Sequence, residues 1–275
     1  MKLWVAFFLV LLSSLSYGSE VIVEHVAFDS HGVTLRGSLA LPSTAPSAAV
    51  VFVHGSGKQA RNMHWAERFA KAGVAALVYD KRGAGKSGGA YEGNQSVSGQ
   101  NISLLTDDAI AALNVLRKHA RTKDIAHGLT GISQAGWIVP LAAEQSRAVD
   151  FMVLWSGPVT KVSEEDIYSK YTSDLDGERV PSYSEALKAR TREYVWPEFL
   201  GTDTDPTTSL EQLSIPGLWV FGEQDGSIPV DLSVQRLRSL IKKGHSYEYV
   251  LFSSLGHNNM EQTFSTVADW INRLR

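Results

Sequence analysis

The sequence predicts an α/β fold, with a mostly parallel, doubly wound sheet and a small helical insertion. Short continuous apolar runs alternate with amphipathic stretches, which is typical of strands buried on both faces and joined by crossover helices. The alternation stops between residues 156 and 215, a stretch too long for a plain loop, which rarely exceeds ~12–15 residues. The composition fits one such domain, because 44% of the 275 residues are hydrophobic and 20% are charged.

Predicted strands and helices follow one another in a regular order. The first two strands, 21–28 and 33–41, flank the hairpin signal Asp29–Gly32 and should pair antiparallel. The later strands are apolar runs at 48–53, 74–79, 124–129, 151–155, 216–221 and 247–252. The predicted helices cover 65–72, 103–120, 134–146, 232–241 and 263–274.

The segment Gly131–Gly136 lies between a β-prone run and a helix-like stretch. A strand that turns sharply into a helix there would present Ser133 as a nucleophile, and such a turn needs small residues two before and two after the serine. Gly131 and Ala135 satisfy this need, and Gly136 gives further room. Ala135 departs from the commoner G-x-S-x-G pattern, and short G-x-S-x-A strings also occur in ordinary loops.

A serine hydroxyl needs a base beside it and a third group that orients the base. Asp225 follows the penultimate predicted strand and His257 follows the last one. Both should therefore lie with Ser133 at the carboxyl edge of the sheet, where open parallel sheets bind ligands. A turn-forming aspartate and a solvated loop histidine are the plain alternatives, but the order Ser, Asp, His favours a catalytic triad. Glu223 is the alternative acid, because it lies in the same turn as Asp225.

Two glycine-rich loops complete the pattern. His54–Gly57 follows an apolar strand, and Asp80–Gly88 carries the motif D-x-R-G-x-G-x-S. With the serine elbow and the downstream acid and histidine, these loops make the chain resemble the α/β-hydrolase superfamily, and within it the serine esterase and peptidase-like branch. The resemblance covers nearly all of the mature chain. It implies an α/β-hydrolase fold and an oxyanion hole formed by the backbone N–H groups of Ser56 and Gln134.

Together these residues predict a serine hydrolase that cleaves carboxylic esters through an acyl-enzyme intermediate. Ser133 would attack the carbonyl, His257 would transfer the proton, and Asp225 would orient the imidazolium. Peptidase-like cleavage of amides uses the same residues and stays open, as does a non-catalytic binding protein on the same scaffold. Neither the natural substrate nor the oligomeric state is predicted.

The insertion, about 157–213, is interpreted as a helical cap over the catalytic edge, with a surface excursion away from the site as the alternative. One predicted helix is Glu164–Thr172, with Ser163 as its N-cap. The other is Glu185–Trp196, which Pro197 should end.

Two tryptophans are candidate substrate-binding residues. Trp196 belongs to the insertion, and Trp137 lies on the helix that follows the serine. Either ring could line an acyl pocket, although core packing is the competing interpretation for Trp137.

Several function classes are disfavoured. A net charge of −3 with interspersed signs argues against nucleic acid or an anionic membrane as the main partner. Residues 83–88 match G-x-G-x-x-G by letter, but a polar loop follows instead of a helix, so no nucleotide cofactor is expected. The chain has no cysteine, and its eight histidines form no ligand-like pattern, so no catalytic metal is expected either. The expected partner is a small-molecule ester or amide.

The first 18 residues have the layout of a secretory signal peptide. A charged residue, an apolar run at 3–15 and small residues ending at Gly18 follow in that order. The apolar run is shorter than the ~20 residues of a membrane span. We therefore expect a secreted or periplasmic mature chain of residues 19–275 without stable membrane insertion, and an uncleaved anchor is the alternative.

Overall fold

The computed structural model describes residues 21–93 and 96–274, in which eight strands form one mixed sheet. The strands are β1 (Val21–Ser30), β2 (Val33–Pro42), β3 (Ala48–Val53), β4 (Val74–Tyr79), β5 (Ala126–Ile132), β6 (Phe151–Trp155), β7 (Gly217–Gly222) and β8 (Tyr247–Phe252). Their order across the sheet is β1-β2-β4-β3-β5-β6-β7-β8, with β2 antiparallel to both neighbours and the other pairs parallel. The predicted fold class is confirmed.

Helices cover both faces of the sheet. They are α1 (Met63–Lys71), α2 (Gly99–Lys118), α3 (Ala135–Ser146), α4 (Val162–Thr172), α5 (Tyr183–Lys188), α6 (Pro206–Leu210), α7 (Val230–Lys242) and α8 (Met260–Arg273). α1 and α8 pack on one face, and α2, α3 and α7 on the other. Every residue of β3, β4 and β6 is buried as a result, which explains their continuous apolar sequences.

The strand before the predicted nucleophile runs further than its sequence indicates. The prediction ended it at Leu129, whereas β5 continues to Ile132 and pairs with β3 up to Gly131 and with β6 up to Ile132. The ladder overrides the low strand propensity of Gly131, because its backbone groups find partners on both sides. Ser133 therefore follows the last residue of β5 directly.

Two details predicted for the insertion are wrong. α4 begins at Val162 with Lys161 as its N-cap, and Ser163 instead donates its hydroxyl to Asp203 at 2.6 Å. The helix predicted at Glu185–Trp196 is the shorter α5, which ends at Lys188.

The early end of α5 has a tertiary cause. Past this helix the chain lies against α4, where the hydroxyl of Tyr194 donates to Asp166 at 2.6 Å. Tyr194 thus bonds to α4 from outside the helix. A 3-10 turn at Glu198–Leu200 and the short α6 complete the insertion.

The predicted signal peptide, residues 1–18, lies outside the described residues. Within the described part of the chain, no helix is long and apolar enough to cross a membrane.

Candidate active site

Ser133 occupies a strained turn between β5 and α3. Its φ of 56° lies in the left-handed region that side chains rarely adopt, and its N–H donates to the carbonyl of Trp155 at 3.0 Å. The turn depends on small neighbours, since a Cβ at Gly131 would collide with the carbonyl of Val53, and one at Gly136 would lie 2.5 Å from Pro158. This is the strand-to-helix elbow that the motif predicts.

Asp225 and His257 meet at the ends of β7 and β8. Nδ1 of His257 lies 2.9 Å from Oδ2 and 3.1 Å from Oδ1 of Asp225. The carboxylate is fully buried, and its Oδ1 also accepts the N–H groups of Ser227 and Ile228. Glu223 is exposed to solvent. The pairing thus involves Asp225 and not the alternative acid.

The environment of His257 favours its protonated form. Burial alone would lower the pKa of the imidazole, but the hydrogen bond and the charge of Asp225 outweigh burial. The nearby carboxylates of Asp176 and Asp174 act in the same direction, so that the pKa of His257 lies above its usual value. The ring is suited to accept a proton and to be held as an imidazolium.

The histidine loop is tied to the strand beside the serine. Ser156, directly after β6, donates its hydroxyl to the carbonyl of His257 at 2.9 Å and accepts the amide of Asn259 at 3.0 Å. Among the described residues the Asp225–His257 bond is formed, whereas no hydrogen bond joins the hydroxyl of Ser133 to the ring of His257. Catalytic hydrogen bonds are often long without substrate and shorten when it binds.

The loop His54–Gly57 lies against the serine elbow. A Cβ at Gly55 would lie 3.2 Å from the carbonyl oxygen of Ile132, a tight contact, so the glycine makes this close approach easier. Neither the N–H of Ser56 nor that of Gln134 donates a hydrogen bond to another described residue. Both donors predicted for the oxyanion are therefore available.

A lysine that the sequence analysis did not single out joins these two segments. Lys81 is buried beneath the loop and donates to the carbonyl of Gly55 at 2.9 Å and to Oε1 of Gln134 at 2.7 Å. Its neighbours Asp80 and Arg82 brace the loop after β4. The carboxylate of Asp80 pairs with the guanidinium of Arg61 at 2.8 Å, and Arg82 pairs with the carboxylate of Asp108 on α2.

The insertion contacts both catalytic loops. Asp176 accepts the N–H of His257 and the N–H of Gly226, each at 2.9 Å. The hydroxyl of Tyr168 on α4 donates to the carbonyl of Asp225 at 3.1 Å. Asp176 was also missed from the sequence, because an exposed aspartate in a polar insertion carries no pattern.

A cleft of about 280 Å³ opens beside the predicted triad. Ile132 precedes Ser133 and Asn258 follows His257, and both line this cleft. Its remaining apolar walls are Phe52, Trp65 and Met260. A larger groove of about 1030 Å³ lies near β1 and β2. No predicted site residue lines either space, but the smaller cleft is lined by residues adjacent in sequence to Ser133 and His257, and the larger groove is not. The smaller cleft is thus the one that suits a substrate group next to Ser133.

The two candidate tryptophans lie in different settings. Trp137 is 3% exposed and packs in the core, where its indole N–H donates to the carbonyl of Thr160 at 2.8 Å. This position favours core packing over substrate contact. Trp196 is partly buried, packs against the edge of the core and donates to the carbonyl of Gly201 at 2.7 Å.

Within residues 21–93 and 96–274, no three histidine, aspartate or glutamate side chains are grouped as a metal site.

The fold and the arrangement of these loops define an α/β-hydrolase. Residues 44–184 match the family described as serine aminopeptidase, S33, and the chain belongs to this family. It is therefore a hydrolase of the α/β-hydrolase superfamily.

Solved structures share the fold at low sequence identity. An esterase from Pyrococcus furiosus is 20% identical, with a TM-score of 0.65 over 92% of this chain and 89% of that one. An acetyl xylan esterase from Paenibacillus sp. R4 is 16% identical, with a TM-score of 0.69 over 95% and 86%. An acylaminoacyl peptidase from Pyrococcus horikoshii is 17% identical, with a TM-score of 0.64 over 90% of this chain and 39% of that one.

Proposed function

We propose that this protein is a serine hydrolase that cleaves small carboxylic esters through an acyl-enzyme. Ser133 attacks the carbonyl, and His257 accepts the hydroxyl proton and then donates it to the leaving alcohol. Asp225 holds the imidazolium. The N–H groups of Ser56 and Gln134 stabilise the oxyanion, and one such donor contributes ~2.7–4 kcal/mol. Water then attacks the acyl-enzyme by the same route and releases the acid.

The observation that carries this proposal is the combination of a serine at positive φ with a buried aspartate–histidine pair. A φ of 56° at Ser133 is costly and persists where the surrounding structure enforces it, often at functional sites. The buried carboxylate of Asp225, 2.9 Å from Nδ1 of His257, supplies the orienting group of a base. A non-catalytic scaffold would need neither feature.

The cleft beside Ser133 suggests the size of the substrate. Its volume of about 280 Å³ lies just below the roughly 300–1,000 Å³ of ordinary ligand pockets, which suits a small substrate group. The esterases among the structural neighbours favour the same substrate class. Amide cleavage is the second candidate, because the matched family is described as an aminopeptidase.

A fluorophosphonate probe and two chromogenic substrates test the proposal. The wild-type protein should be labelled at Ser133, as peptide mass spectrometry can show, and should hydrolyse p-nitrophenyl acetate. Ser133→Ala should abolish labelling and hydrolysis while the melting temperature stays unchanged. Hydrolysis of an aminoacyl p-nitroanilide, assayed in parallel, tests whether the protein cleaves amides. Labelling that persists in Ser133→Ala would place the nucleophile elsewhere.

A further inference from the structure

Lys81 is a buried cation that joins the two segments predicted to bind the oxyanion. Its side chain is 2% exposed, and its ammonium group donates to the carbonyl oxygens of Gly55 at 2.9 Å and Gly57 at 3.2 Å. A third hydrogen bond, of 2.7 Å, reaches Oε1 of Gln134. The two carbonyls flank Ser56 on either side. One ammonium group therefore holds both segments that carry the oxyanion donors.

The charge of Lys81 is not neutralised by a carboxylate. Across the described ranges, its Nζ forms no ion pair, and the neighbouring Asp80 is engaged with Arg61 at 2.8 Å. Of the other titratable groups in the oxyanion loop, Lys58 is exposed, and burial lowers the pKa of His54 to about 4, which keeps it neutral. A buried, unpaired ammonium group is costly for folding. Its retention is explained if a negative charge forms nearby during the reaction.

We propose that Lys81 is a positioning residue of the oxyanion hole, which aligns the N–H groups of Ser56 and Gln134 and whose charge stabilises the oxyanion. This inference rests on the proposed function. All three acceptors of the ammonium group are neutral, so they orient it without cancelling its field. A dipole or charge fixed before the reaction needs no reorganisation when the oxyanion forms. No bond to Lys81 forms or breaks in the cycle.

The first test is the variant Lys81→Met, which keeps an unbranched side chain one heavy atom shorter and removes its charge and its three donors. With p-nitrophenyl acetate we expect kcat to fall by about 10²-fold, at the lower end of the loss of one oxyanion donor, and KM to change less than threefold. A trifluoromethyl ketone, which forms an anionic tetrahedral adduct with serine, should bind more weakly by the same factor as kcat/KM. Lys86→Met is the matched control, because Lys86 lies in the same loop and is exposed.

A second test needs no variant. Burial lowers the pKa of Lys81 to about 8, so the ammonium group loses its proton at moderately alkaline pH. In the wild-type protein kcat should then decline as the pH rises through about 8 and beyond. Lys86→Met should keep this decline. If Lys81→Met folds, its residual activity should show no such decline at alkaline pH.

The outcomes separate this inference from the proposed function. A wild-type protein that is neither labelled by fluorophosphonate nor active on the ester overturns both. A labelled, active wild type whose kcat stays level up to pH 10 overturns the role of Lys81 alone. The same conclusion follows if Lys81→Met keeps kcat within threefold. It also follows if the variant weakens the binding of substrate and of ketone by the same factor, because a purely structural role would affect both alike.

Discussion

Asp225 and Glu223 lie two residues apart in one turn, yet only Asp225 is buried and hydrogen-bonded to His257. We expect Asp225→Asn to lower kcat/KM by about 10³–10⁴-fold, because the neutral amide stabilises neither the required tautomer nor the imidazolium. Glu223→Gln, the matched control, should stay within twofold. Steady-state kinetics on p-nitrophenyl acetate measures both, with melting curves to verify folding. Equal effects of the two substitutions would contradict this assignment of the acid.

The pH profile of His257 follows from its surroundings. The imidazole must be neutral to accept the proton of Ser133, and its pKa is raised above the usual ~6.5, mainly by Asp225 against the effect of burial. Activity should therefore be low at pH 6 and reach half of its maximum above pH ~6.5. Rates with a fluorogenic ester whose product is insensitive to pH give this value. A midpoint below 6 would contradict the raised pKa.

The predictability of individual residues depended on where their partners lie. Ser133, Asp225 and His257 each follow a strand end, and such an order along the chain is visible in the sequence. Lys81 and Asp176 bond mainly to backbone groups far away in sequence. Nearly every residue has a backbone acceptor and donor, so no pattern of residue types in the sequence indicates these contacts.

At the level of elements, the later strands of the sheet were predicted best. β3, β4, β6 and β8 have the predicted bounds, and β7 is shifted by one residue. The first three are covered on both faces of the sheet, which requires continuous apolar runs. The insertion was predicted worst. Its helices are short and shaped by contacts with each other and with the catalytic loops, and helix propensity is a weak guide against such contacts.

The contact of the insertion with the catalytic loops yields a prediction for Asp176. The carboxylate of this one residue bridges the backbone of His257 and Gly226, so Asp176→Ala should loosen the Asp225–His257 pair. We expect kcat/KM to fall by about tenfold, or ~1.4 kcal/mol, to a similar extent for every ester in a panel from acetate to benzoate.

Glu178→Gln provides the control for Asp176→Ala, because Glu178 is an exposed acid of the same segment. A loss confined to large esters would instead mean that the segment selects substrates without supporting the triad. No loss on any ester would mean that the two backbone hydrogen bonds do not position His257.

At the scale of the whole molecule, the parallel sheet brings the site together. β3, β4, β5, β7 and β8 run in the same direction, so the oxyanion loop, Lys81, the serine, the acid and the histidine all follow strand ends at one edge. Topology could be predicted to this level because right-handed crossovers leave few alternatives for alternating strands and helices. Crossovers alone do not fix the depth of a cleft or the position of an insertion, since these depend on side-chain packing.

The last prediction concerns the mature chain. β1 begins at Val21 and pairs with β2 along its whole length, so cleavage after Gly18 would remove none of the described structure. Residues 19–275, expressed alone, should therefore fold and hydrolyse p-nitrophenyl acetate. The full-length chain, expressed in a bacterium with a secretory pathway, should yield exported protein that begins near Ser19, as intact-mass spectrometry and N-terminal sequencing can show. Active protein that sediments with membranes and retains Met1 would instead support the uncleaved anchor.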